Sequence, residues 1–126
     1  IRDVLGSRGL GDVYKRQDMF LFDPKRVNVL GEYGGIGLPV ENHLWWNKRN
    51  WGYVQFKNSD EVTAEYVKYA NILKDYVKRG FSAAVYTQTT DVEGEVNGLM
   101  TYDRKVIKIN EAAVKNANQS VINELK

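Results

Sequence analysis

One amphipathic stripe between two short β-branched runs governs what this chain can fold into. After Asn58, Ser59 and Asp60, each able to cap a helix, apolar residues recur at Val62, Tyr66, Tyr69, Ala70, Leu73, Tyr76 and Val77. Steps of three and four set them on one side of a helix, and Gly80 stops it after Lys78 and Arg79. Upstream, Val27, Val29 and Leu30 follow the Asp23-Pro24 turn and run into Gly31; downstream, Phe81–Thr87 reads FSAAVYT. The first run is short and almost continuously apolar, as expected of a strand buried on both faces. The second is small and β-branched enough for the centre of a sheet. A strand–helix–strand unit of this size predicts a parallel pair joined by a right-handed crossover.

A last helix is expected over residues 111–125, with Asn110 as its cap and Val114, Ala117, Val121, Ile122 and Leu125 on one side. Asn118-Gln119-Ser120 matches a glycosylation sequon, but inside a helix it reads as a chance match. Two parallel strands cannot bury both faces with two helices, so the pattern points to part of a larger sheet. Long loops follow both strands, over residues 32–57 and 88–105. Loops at strand C-terminal ends are where a (β/α)8 barrel builds its site. The expected fold class is therefore α/β, a fragment of a TIM (β/α)8 barrel holding roughly its last two βα units. A doubly wound sheet is the alternative.

Charge narrows the partners. The 126 residues carry 18 bases and 16 acids, a net charge of +2. Arg2, Arg8, Lys15 and Arg16 against Asp3 and Asp12 place that whole excess in residues 1–17, leaving 14 bases and 14 acids over 18–126. A neutral body offers no broad footprint for phosphate, so no nucleic-acid partner is expected. With no cysteine, disulfides, thiolate metal sites and cysteine nucleophiles are excluded. No apolar run approaches the roughly 18 residues of a transmembrane segment. Residues 1–17 (IRDVLGSRGLGDVYKRQ) lack an apolar period and the apolar core of a secretory signal. Their ending resembles translated sequencing-adapter DNA, so a non-native leader outside the fold is expected, with 18–126 as the folded portion. A genuine basic arm is the other reading.

Several residues could carry chemistry. Glu32 follows the first strand in VNVLGEYGGIGLP, where a barrel would set its carboxylate at the rim. A carboxylate there can attack an anomeric carbon; a surface salt bridge is the plainer reading. Gly31, Gly34, Gly35 and Gly37 fit neither nucleotide-binding glycine pattern. His43, Trp45, Trp46, Trp51 and Tyr53 crowd the next loop and include all three tryptophans. Such rings either stack on sugar faces or pin the loop. His43 is the only histidine and no triad partner or metal-ligand motif surrounds it, so no metal site is expected. Gln88 stands at the end of the second strand. Asp91, Glu93 and Glu95 alternate, so an extended chain would align them as a hydroxyl- or cation-binding edge or a solvated acidic loop. Asn97-Gly98 signals a turn, and 102–105 is expected to close the loop.

Together, GEYGGIGLPVENHLW and, beyond the stripe, SAAVYTQTTDVEGEVNGLMTYDRKV resemble the C-terminal part of the catalytic barrel of glycoside hydrolase family 2, β-galactosidase-like. The resemblance covers essentially residues 18–126, strands seven and eight with their helices. It implies a retaining hydrolase of O-glycosidic bonds with no cofactor and a carbohydrate substrate. Glu32 would be the nucleophile, with His43, Trp45, Trp46, Trp51, Gln88 and Asp91 as candidate substrate contacts. The family's acid/base is a Glu after an Asn at the end of strand four. Here Asn-Glu occurs only at Asn110-Glu111 and Asn123-Glu124, in the last helix, so the acid/base, strands one to six and the sandwich domains would belong to the rest of a parent chain. Where many members carry a strand-eight tryptophan, this chain has Tyr86-Thr87-Gln88. The implied location is periplasmic or extracellular. Two expectations follow: a hydrolase fragment inactive alone, or a piece of a noncatalytic carbohydrate-binding barrel.

Overall fold

A computed structural model describes residues 23–126, and the expected leader over residues 1–17 lies outside the described residues. The fold is α/β. Its elements are β1 (Asn28–Gly34), β2 (Ile36–Gly37), β3 (Val54–Gln55), α1 (Ser59–Lys78), β4 (Phe81–Thr87) and α2 (Glu111–Asn123).

Helix α1 begins where its local chemistry dictates. The Asn58 side chain accepts from the Glu61 N–H at 2.9 Å, and Glu61 reaches back to accept from the Lys57 N–H at 2.9 Å. Two backbone donors near the helix start are thus satisfied reciprocally. Asp60 and Glu61 in the first turn and Lys78 in the last complement the helix dipole. The stripe Val62, Tyr66, Tyr69, Ala70, Leu73 and Tyr76 is buried, and all of it but Ala70 clusters with Leu30, Tyr33, Ile36 and Leu38. Each large side chain covered this way contributes about 1.5–3 kcal/mol. Helix α2 leans on α1: Tyr66 Oη donates to Asn118 Oδ1 at 3.0 Å, and the Asn110 N–H donates to Thr63 Oγ1 at 2.9 Å. It ends two residues short of expectation, leaving Leu125 exposed.

Strands β1 and β4 pair in parallel, with Leu30 opposite Ala84, Glu32 opposite Val85 and Gly34 opposite Thr87. Two expectations need correction. The first strand runs on through Glu32 to Gly34 instead of stopping at Gly31. A register shift between Leu30 and Glu32 absorbs Gly31, so that glycine is a bulge that lets pairing continue. Val27 lies outside the strand and is exposed. The sheet is also covered on one face only. Leu30 and Tyr33 meet the helices, whereas Val29 (52%) and Val85 (53%) on the other side are exposed. Among the described residues the outer edges of β1 and β4 have no strand partner.

Beyond β1 the chain is zipped to both long loops. Gly35 N–H donates to Thr87 O, Leu38 N–H to Val96 O, Val54 N–H to Gly35 O and Val96 N–H to Trp51 O. Gly34, at φ +112°, leaves no room for a side chain: a Cβ would stand 2.8 Å from Thr87 O.

Candidate functional site

The C-terminal ends of β1 and β4 form the floor of the candidate site. Period two within β1 turns Tyr33 inward and Glu32 outward, so Gly-Glu-Tyr presents the carboxylate on the bare face and hides the phenol. Tyr33 and Tyr86 sit edge to face at 5.4 Å, and Tyr66 joins them 5.0 Å from Tyr86. Burial, and then the neighbouring Tyr66, push both the Tyr33 and Tyr86 hydroxyls far above the usual tyrosine range. They stay neutral and cannot serve as phenolate nucleophiles. The Glu32 carboxylate makes no ion pair or hydrogen bond with another described residue, so the salt-bridge reading has no partner among them.

Aromatic rings stand just past this floor. The Tyr53 ring fills the space beside Gly35, three residues after Glu32, and meets Trp51 edge to face at 5.3 Å. Both rings are exposed. Gln88 follows the Thr87 that pairs with Gly34, and its backbone carbonyl accepts from the Leu99 N–H at 3.1 Å. Its side-chain Nε2 is buried without a hydrogen-bond partner among the described residues. Glu32, Trp51 and Gln88 are therefore carried by segments converging on one end of the strand pair.

His43 and Trp45 belong to a second grouping. His43 Nδ1 lies 2.8 Å from Asp103 Oδ2. Asp103 Oδ1 accepts from Thr101 Oγ1 at 2.6 Å and from the Lys105 N–H at 3.2 Å. Those contacts, Thr101 first and His43 next, hold the Asp103 carboxyl well below the usual carboxylate range. Alongside, Trp45 meets Tyr102 edge to face at 5.3 Å, and Trp46 packs where a side chain on Gly94 would go. The sequence showed no partner for His43 because Asp103 is 60 residues away; only the fold brings them together.

The acidic loop departs from expectation. Asp91, Glu93 and Glu95 do not align on an extended edge: Val92 and Glu95 exchange backbone hydrogen bonds across a tight Glu93-Gly94 turn, with Glu93 at φ +50°. Asp91, expected among the sugar contacts, is buried. Its Oδ1 accepts from Lys108 Nζ at 2.6 Å and from the Gly98 N–H at 2.8 Å, and Lys108 also donates to Val96 O. Burial pushes the Asp91 carboxyl up and the Lys108 amine down, against the pull of their contact. A pair this enclosed organises backbone and is out of reach of a ligand. At Asn97-Gly98 the chain bends through Gly98 and Leu99 without the hydrogen-bonded hairpin turn that was expected. Asn97 is fully buried and donates to Glu95 Oε1 at 3.0 Å, while a Cβ on Gly98 would collide with the Asp91 and Thr90 backbone. Lys108, flanked by Ile107 and Ile109, offered only that apolar context as a clue to its burial.

Among the described residues no helix is long and apolar enough to cross a membrane, and no three potential metal-ligating side chains cluster. Neither a family profile nor a curated protein matches the chain.

Proposed function

We propose that this chain is the strand-seven and strand-eight portion of a (β/α)8 barrel from a retaining, β-galactosidase-like glycoside hydrolase of family 2, with Glu32 as its nucleophile. The observation that carries the reading is an exposed carboxylate on the uncovered face of a parallel β1/β4 pair, beside the exposed Trp51–Tyr53 surface. Uncovered apolar positions Val29 and Val85 suit the inner face of a barrel closed by further strands paired to the open edges of β1 and β4.

In the proposed reaction a Glu32 oxygen attacks the anomeric carbon as the bond to the leaving oxygen breaks, giving a glycosyl ester. A carboxylic acid from another part of the barrel protonates the leaving oxygen, then takes a proton from the water that hydrolyses the ester. Trp51 and Tyr53 offer faces for the C–H-rich side of the sugar; the Gln88 amide nitrogen, buried as it stands, would need to be uncovered to reach a hydroxyl. The two Asn-Glu pairs do not suit the proton donor: Asn110 caps α2 and Asn123 ends it, and Glu124 faces Lys74 and Lys78, each at 3.9 Å. Without general-acid help, worth about 10²–10⁴-fold, the isolated chain is expected not to hydrolyse an aryl β-glycoside.

A 2,4-dinitrophenyl 2-deoxy-2-fluoro-β-galactoside tests the nucleophile directly, because its leaving group needs no proton donor. Peptide mapping is expected to find the adduct on Glu32 and no adduct in Glu32→Gln. An adduct on another carboxylate, or none on a chain that binds the sugar, overturns the hydrolase reading.

A further inference from the structure

The loop after β2 encloses a second feature. Leu44, Trp45, Trp46, Asn47, Lys48 and Arg49 line a depression of about 600 Å³, within the general range of small-molecule sites. We propose that this depression is a second sugar site, which takes an acidic sugar residue (a uronate). The proposal rests on the carbohydrate reading above and adds to it a substrate class.

The first support is rigidity. This stretch has no helix or strand of its own, yet it is fixed at three side chains. His43 is held by Asp103, Trp45 by Tyr102 and Trp46 by the surface of Gly94. The Trp51 N–H, donating to Gly94 O at 2.7 Å, closes the segment. The depression is therefore formed before any ligand arrives, which removes an ordering cost from binding.

The second is the mismatch between what is fixed and what is covered. Thr101 is fully buried and Asp103 mostly covered, whereas Trp45 is 54% and Trp46 47% exposed. A loop pinned for stability alone gains most by burying its indoles. Here the polar anchor is enclosed and two indoles are left facing solvent, as a stacking platform requires.

The third is charge. Lys48 and Arg49 share the lining with both indoles and form no ion pair with another described residue. Residues 18–126 balance to zero, so two cations without an ion-pair partner among the described residues, beside two exposed indoles, are a local feature. A guanidinium forks onto a carboxylate in two parallel hydrogen bonds, and an ammonium adds a point charge. A pyranose carrying a carboxylate meets both demands: its C–H face lies on an indole and its acid group meets the cations.

The test titrates the 126-residue chain, followed by tryptophan fluorescence, with a glucuronic acid-terminated β-linked disaccharide and its glucose-terminated counterpart. The acidic sugar is expected to bind at least tenfold tighter at low salt, with the advantage shrinking as ionic strength rises. Lys48→Ala/Arg49→Ala is expected to abolish that advantage and keep neutral-sugar binding. Both side chains are exposed and form no ion pair or side-chain hydrogen bond with another described residue, so circular dichroism should match the wild type. Trp45→Phe, which retains a ring against Tyr102, is expected to weaken both sugars. Equal affinity for the two sugars, an advantage that survives the double substitution, or binding of neither overturns the second site. The 2-fluoro labelling of Glu32 reports the first site separately, so labelling without acid preference sinks this proposal alone, and acid preference without labelling sinks the hydrolase reading alone.

Discussion

The two loops that rise from the ends of β1 and β4 are built on opposite principles. The loop after β4 is a small interior of its own: Asp91, Val96, Asn97, Thr101 and Lys108 are all buried, with Lys108 joining Asp91 to the Val96 carbonyl, Asn97 bonded to Glu95 and Thr101 to Asp103. The stretch from Glu41 to Tyr53 hides almost nothing and leaves Trp45, Trp46, Trp51 and Tyr53 exposed. They are also mutually dependent, since Asp103, Tyr102 and Gly94 of the second loop hold His43, Trp45 and Trp46 of the first. One loop is framework and the other is the surface that framework presents. Loops carry function when something rigid positions them, and here the rigid element is itself a loop.

Lys108→Met is the strongest way to break this contrast. It leaves the Asp91 carboxylate enclosed with only the Gly98 N–H, and removing one partner of a buried pair costs about 3–5 kcal/mol. Urea unfolding followed by circular dichroism should register that loss, and Trp45 fluorescence should change with it because its anchor lies on the same loop. Asp91→Leu combined with Lys108→Met is expected to recover much of the stability, since no charge is then stranded. A midpoint unchanged by Lys108→Met would put the framework elsewhere. Trp45→Ala, on the presenting loop, is expected to cost about 1–2 kcal/mol in the same assay, less than Lys108→Met, because only about half of the ring is covered.

A smaller effect probes the crossover that carries both loops. Asn58→Ala removes the side-chain acceptor of the Glu61 N–H and should cost about 0.5–2 kcal/mol in the same unfolding assay. Asn58→Gly should cost only a few tenths of that range's unit. A loss in Asn58→Ala well above the range would mean that the cap also fixes the end of the presenting loop.

What could be read in the sequence follows the same division. Helix α1 was legible because its determinants are local: a stripe of period 3.6, Asn58 before it and Gly80 after it. The parallel pairing followed from the length of the connection. The extension of β1 through Glu32 was not legible, since Gly31 reads as a stop until the pairing with β4 turns it into a bulge. Asn97-Gly98 reads as a hairpin turn, but the fold needs Gly98 for close backbone approach and turns at Glu93-Gly94 instead. Lys108 reads as surface charge in any local window; its burial depends on Asp91, 17 residues away. At the candidate site, the aromatic crowding was visible from composition, but which rings face solvent and which hold the loop was a matter of tertiary contact.

The mildest test concerns the joint between the two loops. Thr101 and His43 hold the Asp103 carboxyl well below the usual carboxylate range. A carboxyl depressed in the folded state adds stability in full above its unfolded value, about 3.9, and loses it as pH falls through the lower folded value. The joint should therefore survive at pH 4 and loosen only in stronger acid. Nuclear magnetic resonance of the Trp45 indole and the Lys105 amide, whose N–H donates to Asp103, can follow this directly. Both signals are expected to hold steady from pH 6 to below 4 and then move together. In Asp103→Asn the acid-linked movement should vanish, and the Trp45 signal at pH 6 should already be displaced. Movement of the wild-type signals at the pH of a free aspartate would mean that the hydrogen bonds to Asp103 are too loose to hold the presenting loop.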